Sequence, residues 1–248
     1  MTPSTWSWNP EALAGVALAA AYLLALRRHS AEPWRVAAFL AGCALLVAVF
    51  VTPWDTVAVD YLLWIHLLQN VVLAEWAPLL LVLGIPPSLA ERITRRIIVR
   101  AITHPFVALP LWVASYSLWH VPALYDAALD RGGALLALEH LTYFSTGLAM
   151  WWCVWQSEPH RLSSGARAVY VFAGFVLSAP LGLVLALVPE PIYDAYDDAP
   201  ERLWGLTLLD DQQLGGISMA SEQAIVFFAV FAYWFLRFLE EQEHAEDD

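Results

Sequence analysis

Residues 61–84 read YLLWIHLLQNVVLAEWAPLLLVLG, an almost unbroken apolar run from Tyr61 to Gly84. About 20 apolar residues in a helix cross a hydrocarbon core of about 30 Å. The run therefore predicts a membrane-spanning helix. It also carries His66, Gln69, Asn70 and Glu75. Polar and ionisable side chains are costly inside a bilayer, face the interior of a bundle, and mark function by default. With His66 and Asn70 one helical turn apart and Gln69 between them, the spacing predicts one polar face turned away from lipid.

Outward from this helix the same pattern recurs. Apolar stretches at Ala12–Leu26, Trp34–Val51, Pro105–His120, Ala134–Trp155, Ala168–Val188 and Leu214–Phe238 bring the expected number of spans to seven. The expected fold is all-α: a polytopic transmembrane helical bundle forming a single domain over residues 1–248. Composition agrees, with 60% hydrophobic and only 15% charged residues, where soluble domains carry about 25% charged. The third span is expected to tilt or break near Pro78, because proline lacks a backbone N–H. The fourth is short.

The basic residues are all Arg, and their placement orients the bundle. Arg27, Arg28, Arg35, Arg92, Arg95, Arg96, Arg100, Arg161, Arg167 and Arg237 fall on one side, and only Arg131 and Arg202 on the other. The positive-inside rule then puts the N-terminus outside and the acidic tail, residues 239–248, in the cytoplasm of a plasma-membrane protein. No basic residue precedes the first apolar run, so that run is expected to remain as a helix rather than serve as a cleaved signal. Ser88–Arg100 reads as an interfacial helix. Residues 189–213 form an acidic outer loop.

The chain has no Lys. That excludes a retinal or pyridoxal Schiff base and a phosphate-loop lysine. A net charge of −12 argues against nucleic acid as a partner. H-E-x-x-H and the nucleophile elbow are missing too, so an enzyme is not expected. Cys43 and Cys153 lie in apolar segments and read as small buried hydrophobes.

Depth arithmetic selects candidate ligands. At about 1.5 Å per residue, His66 lies about 9 Å in from Asp60, and His140 about 10 Å in from Gly133 with Glu139 beside it. His120 ends the fourth span at the same side. Counted from Gln213, Met219 and Glu222 lie about 7 to 12 Å in. A single buried His is commonly a hydrogen-bonding core residue, but three at one depth point to a shared role. Imidazoles suit Cu, Zn, Fe and Ni, and the Met219 thioether tilts the choice towards Cu(I). Glu139 or Asp211 would orient a ligating His. Glu75 has no partner evident in the sequence. Met150 and Cys153 read as packing, and the Trp residues as an interfacial belt.

Three segments resemble the CtaG-type membrane proteins that assist cytochrome c oxidase assembly. They are Ile65–Asn70 running to Ala77–Pro86; Leu118–Tyr125 followed by Leu138–Phe144; and Asp211-Gln212-Gln213-Leu214-Gly215-Gly216. The resemblance implies functional positions at His66, His120 and His140 with Asp211 in support, and a haem-copper oxidase subunit as partner alongside membrane lipid. Asn70 stands where the family pattern has a second His, one turn after His66. Asn is a poor ligand for copper, so the departure implies a weaker metal site, an altered geometry, or a branch that has left metal chemistry altogether.

The expected function is thus an integral membrane factor for oxidase assembly, a chaperone handling copper near the outer face. The expected metal ligands are His66, His120, His140 and Met219, supported by Gln69, Asn70, Glu139, Asp211, Gln212 and Glu222. The alternatives are a haem-binding electron carrier with axial His pairs and a copper permease or tolerance protein whose polar path would continue inward past Glu75.

Overall fold

A computed structural model describes residues 2–131 and 133–247, which leaves Asp248, the last residue of the acidic tail, outside. Among the described residues every regular element is helical. In chain order these are α1 (Ala12–Ala25), α2 (Pro33–Val51), α3 (Pro53–Asp60), α4 (Leu63–Val71), a π-turn (Val72–Trp76), α5 (Ala77–Gly84), α6 (Pro87–Thr94), α7 (Ile97–Ile102), α8 (Pro105–Trp119), α9 (Pro122–Arg131), α10 (Gly133–Trp155), α11 (Ser164–Leu187), a 3₁₀ turn (Leu203–Gly205) and α12 (Leu208–Asp247). Proline opens α2, α3, α6, α8 and α9, the one helical position where its missing N–H costs nothing.

Among the described residues four helices are long and apolar enough to cross a membrane: Pro33–Val51, Leu63–Gly84, Ser164–Leu187 and Leu208–Ala245. The bent pair Pro105–Trp119 and Pro122–Leu129, at 74°, makes a fifth if counted as one span. The protein is a multi-pass membrane protein, but the expected seven spans reduce to four or five by this measure. α1 has only 14 residues, about 21 Å of helix. α10 has 23 residues and carries Glu139, His140, Thr142 and Thr146, which dilute its apolarity.

The α4–π-turn–α5 rod is the axis of the bundle. Of Leu63–Gly84, 72% is buried inside the protein, against 33–39% for the other three long helices. It packs against α2, α10 and α12, while α11 pairs along α12 and α8 along α10. The sequence places a tilt or a break near Pro78; the structure widens the turn just before it, at Val72–Trp76, and carries on as α5. Pro78 has no N–H to return to the Ala74 carbonyl, and α10 closes on that carbonyl through Gly147, where a Cβ would overlap the Ala74 oxygen. Small residues join α11 and α12 in the same way, with Gly182 and Ala186 against Gly216 and Ala220.

α12 runs 40 residues from Leu208, about 60 Å. It begins six residues before the expected Leu214 and takes the acidic tail with it as helix. Ser88–Arg100, expected as one interfacial helix, forms the two short helices α6 and α7, with Ile97 and Ile98 exposed beside the Arg side chains.

Candidate functional site

α4 begins beside the head of α12. Asp211 accepts the backbone N–H of Leu63 and of Trp64, each at 3.0 Å, and stands 3.4 Å from Arg202 Nη2. A helix leaves its first N–H groups unpaired; here a carboxylate from 147 residues further along the chain caps them. Asp211 thus fixes the start of the helix that carries His66, rather than orienting an imidazole directly.

On α4, His66 and Asn70 converge on one oxygen of Glu139 from α10. His66 Nε2 lies 3.6 Å from Glu139 Oε1, and Asn70 Nδ2 donates to the same oxygen at 2.9 Å. The His66 ring centroid is 6.2 Å from that of His140 and 5.5 Å from that of Tyr125. His140 Nδ1 lies 3.0 Å from Glu11 Oε2, just before α1. His120, after α8, places Nδ1 2.8 Å from the Tyr116 carbonyl and 3.3 Å from the Tyr143 hydroxyl. A carbonyl only accepts, so this nitrogen carries the hydrogen and Nε2 keeps its lone pair. The Glu11 carboxylate fixes His140 in the same tautomer. A histidine anchored at one nitrogen and bare at the other is the arrangement metal-binding imidazoles use.

His66, Asn70, His120, Glu139 and His140 are all buried. Six of their polar atoms make no hydrogen bond within the protein: both His66 nitrogens, of which Nε2 keeps its longer contact with Glu139, Asn70 Oδ1, His120 Nε2, Glu139 Oε2 and His140 Nε2. Buried polar groups are normally satisfied by protein or by ordered water, which leaves these atoms as the cluster's open hydrogen-bonding positions. Among the described residues, however, no three His, Cys, Asp or Glu side chains stand close enough to hold a metal ion. The cluster offers pairs of ligands rather than a closed cage.

The remaining expected residues lie elsewhere. Gln69 turns to the other side of α4 and donates to the Val49 carbonyl at 2.9 Å and to Asp55 at 3.0 Å. Gln212 ties down the segment between α11 and α12, accepting from the Ile192 N–H at 2.7 Å and donating to the Leu185 and Glu190 carbonyls. α4 and α12 run parallel in register: Asp211 meets Leu63 and Trp64, and Gln223 meets Glu75. His66 is therefore level with Gln213 and Leu214, and Met219 sits five to six residues further along, about 8 to 9 Å deeper. Glu222 is deeper again, accepting from the Trp76 indole N–H. The depth estimate placed both too shallow because α12 starts at Leu208, not at Leu214.

Glu11 is the partner the sequence did not single out. It lines both a cavity of about 220 Å³ that reaches His140, Phe50 and Phe144 and an adjoining recess of about 570 Å³ that reaches Ser7 and Asp55. The two spaces share Glu11 and Ala137 in their walls.

Fold and site together define a helical multi-pass membrane protein with a buried histidine–carboxylate cluster at one end of its bundle. The chain matches the model of the cytochrome c oxidase caa3 assembly factor family over residues 20–241 and belongs to that family. It is also 27% identical, over 84% of its length, to two uncharacterized proteins of Mycobacterium bovis and Mycobacterium tuberculosis, covering 36% of each. The chain thus spans about a third of the length of these curated relatives. No solved structure matches it.

Proposed function

We propose that the chain serves oxidase assembly by taking copper as cargo at the outer end of the bundle, holding it between His66 and His140, and passing it to a haem-copper oxidase subunit. The observation that carries this reading is the pair of imidazoles 6.2 Å apart, one held by Glu11 with its Nε2 bare. Metal–nitrogen bonds of about 2.0–2.1 Å put the centroids of two facing imidazoles about 6 Å apart. Glu139 supplies a negative charge beside the ion and Asn70 steers that carboxylate. His120 stands beyond Tyr125, the ring centroids 6.5 Å apart, as the next imidazole. Two ligands and an open side suit a protein that must give its copper up. Met219, about one and a half turns deeper, has no part in holding the ion, so the preference for copper rests on imidazole alone.

In this reading the chain is a carrier and not an enzyme. It sits in the plasma membrane as seven spans of one domain, with the N-terminus and residues 189–213 outside and residues 239–248 in the cytoplasm. α1 and α10 count as spans because each packs along an apolar helix of the bundle, α1 on α2 and α10 on α8.

The test is made in cells whose sole copy carries His66→Ala and His140→Ala. The account expects oxidase copper content to fall several-fold and to recover with excess copper in the medium. Unchanged oxidase copper at limiting supply would overturn it.

A further inference from the structure

Halfway along the axial rod lies a second polar cluster that the copper reading leaves unused. Glu75, on the π-turn, is wholly buried, and Glu222, on α12, is only 9% exposed. Trp76, next to Glu75, bonds Glu222, and Gln223, next to Glu222, bonds Glu75, so these crossed bonds set the two carboxyls side by side. Each bond to them is donated by a neutral group. The Gln223 amide gives to Glu75 Oε1 at 3.1 Å, the Tyr116 hydroxyl to the same oxygen at 3.4 Å, and the Trp76 indole to Glu222 Oε1. The second oxygen of each carboxyl is buried without any further hydrogen-bond partner. Gln223 is itself bonded to Ser178 on α11 at 3.2 Å.

We propose that Glu75 and Glu222 form a proton-binding site in the middle of the bundle, holding one proton between two carboxyls. Two uncompensated charges side by side at this depth would be prohibitive, and the donors that meet the carboxyls are neutral, so they do not cancel a second charge. A proton leaves one negative charge, which the three donors meet. A metal ion would face the hydrogens of Trp76, Gln223 and Tyr116 instead of lone pairs. The other titratable groups are tyrosines: Tyr116 from α8, and Tyr143 from α10, whose ring lies 5.7 Å from that of Tyr116. Tyr143 in turn reaches His120, so the proton site connects with the histidine cluster through side chains in contact. Loss of the proton would drive α12 from the π-turn.

Infrared difference spectroscopy of the detergent-purified protein, recorded across a pH step with no metal added, reads this directly. The expected result is a protonated-carboxyl band that shifts in D₂O, is lost in the double variant Glu75→Gln, Glu222→Gln, and is displaced in Tyr116→Phe, which removes one donor and leaves both carboxyls in place. Absence of the band from the wild type, or a band unmoved in all of these variants, would overturn the proposal. Since no copper is involved, the outcome is independent of the cargo reading.

Discussion

At the scale of the residue, the site is a contest for one carboxylate. Glu139 Oε1 is shared by His66 and Asn70, and this is where the chain departs from the pattern of the proteins it resembles. Asn70→His adds an imidazole one turn below His66, within reach of the same carboxylate. We expect copper affinity to rise at least tenfold, measured by competition with a chromophoric chelator; unchanged affinity would place the ion away from α4. Glu11→Gln removes the charge that fixes His140, and loss of such a partner costs about 10–100-fold in metal affinity. His66, Asn70, Glu139 and His140 were legible because each is a polar residue at matching depth in an apolar run. Gln69 misled: on a helix of about 3.6 residues per turn it and Asn70 point about 100° apart, so His66 and Asn70 share Glu139 while Gln69 serves Asp55. Glu11 was illegible because it meets His140 across 129 positions of sequence, and no local signal pairs them.

At the scale of the element, the cluster depends on how helices begin and how closely they pack. Asp211→Ala strips the cap from α4, a loss of about 0.5–2 kcal/mol. A lower Tm in detergent and a weaker copper site, although Asp211 touches no imidazole, are the expected results; a copper affinity equal to wild type would detach the cap from the site. Gly147→Ala sets a methyl group against the Ala74 carbonyl and should cost about 1–3 kcal/mol, the usual penalty of overpacking, read as a lower Tm. The long apolar runs made the helices legible. The π-turn was not, since nothing in Val72–Trp76 marks it: it follows from Pro78 withholding a donor while α10 occupies the space beside it. The head of α12 was missed because Asp210, Asp211 and Gln212 look like loop, yet all three lie within the helix that Leu208 opens.

At the scale of the whole molecule, the charge pattern and the buried rod give the bundle a direction. Single cysteines placed at Ser4 and at Glu243, in a chain with Cys43 and Cys153 replaced by Ala, are expected to react with an impermeant maleimide from opposite faces of oriented vesicles. Labelling from one face would refute the orientation read from the Arg residues. That orientation matters to the proposed function, because under it the histidine cluster and Glu11 would lie towards the outer surface, where a copper ion would arrive. The central claim is that His66 and His140 hold it together. Its most direct measurement is the copper content of protein purified in detergent from copper-supplemented cells, wild type against His66→Ala, His140→Ala. The account predicts one copper per wild-type chain and none in the variant, with both equally helical. Equal copper in the two, or none in the wild type, would contradict it.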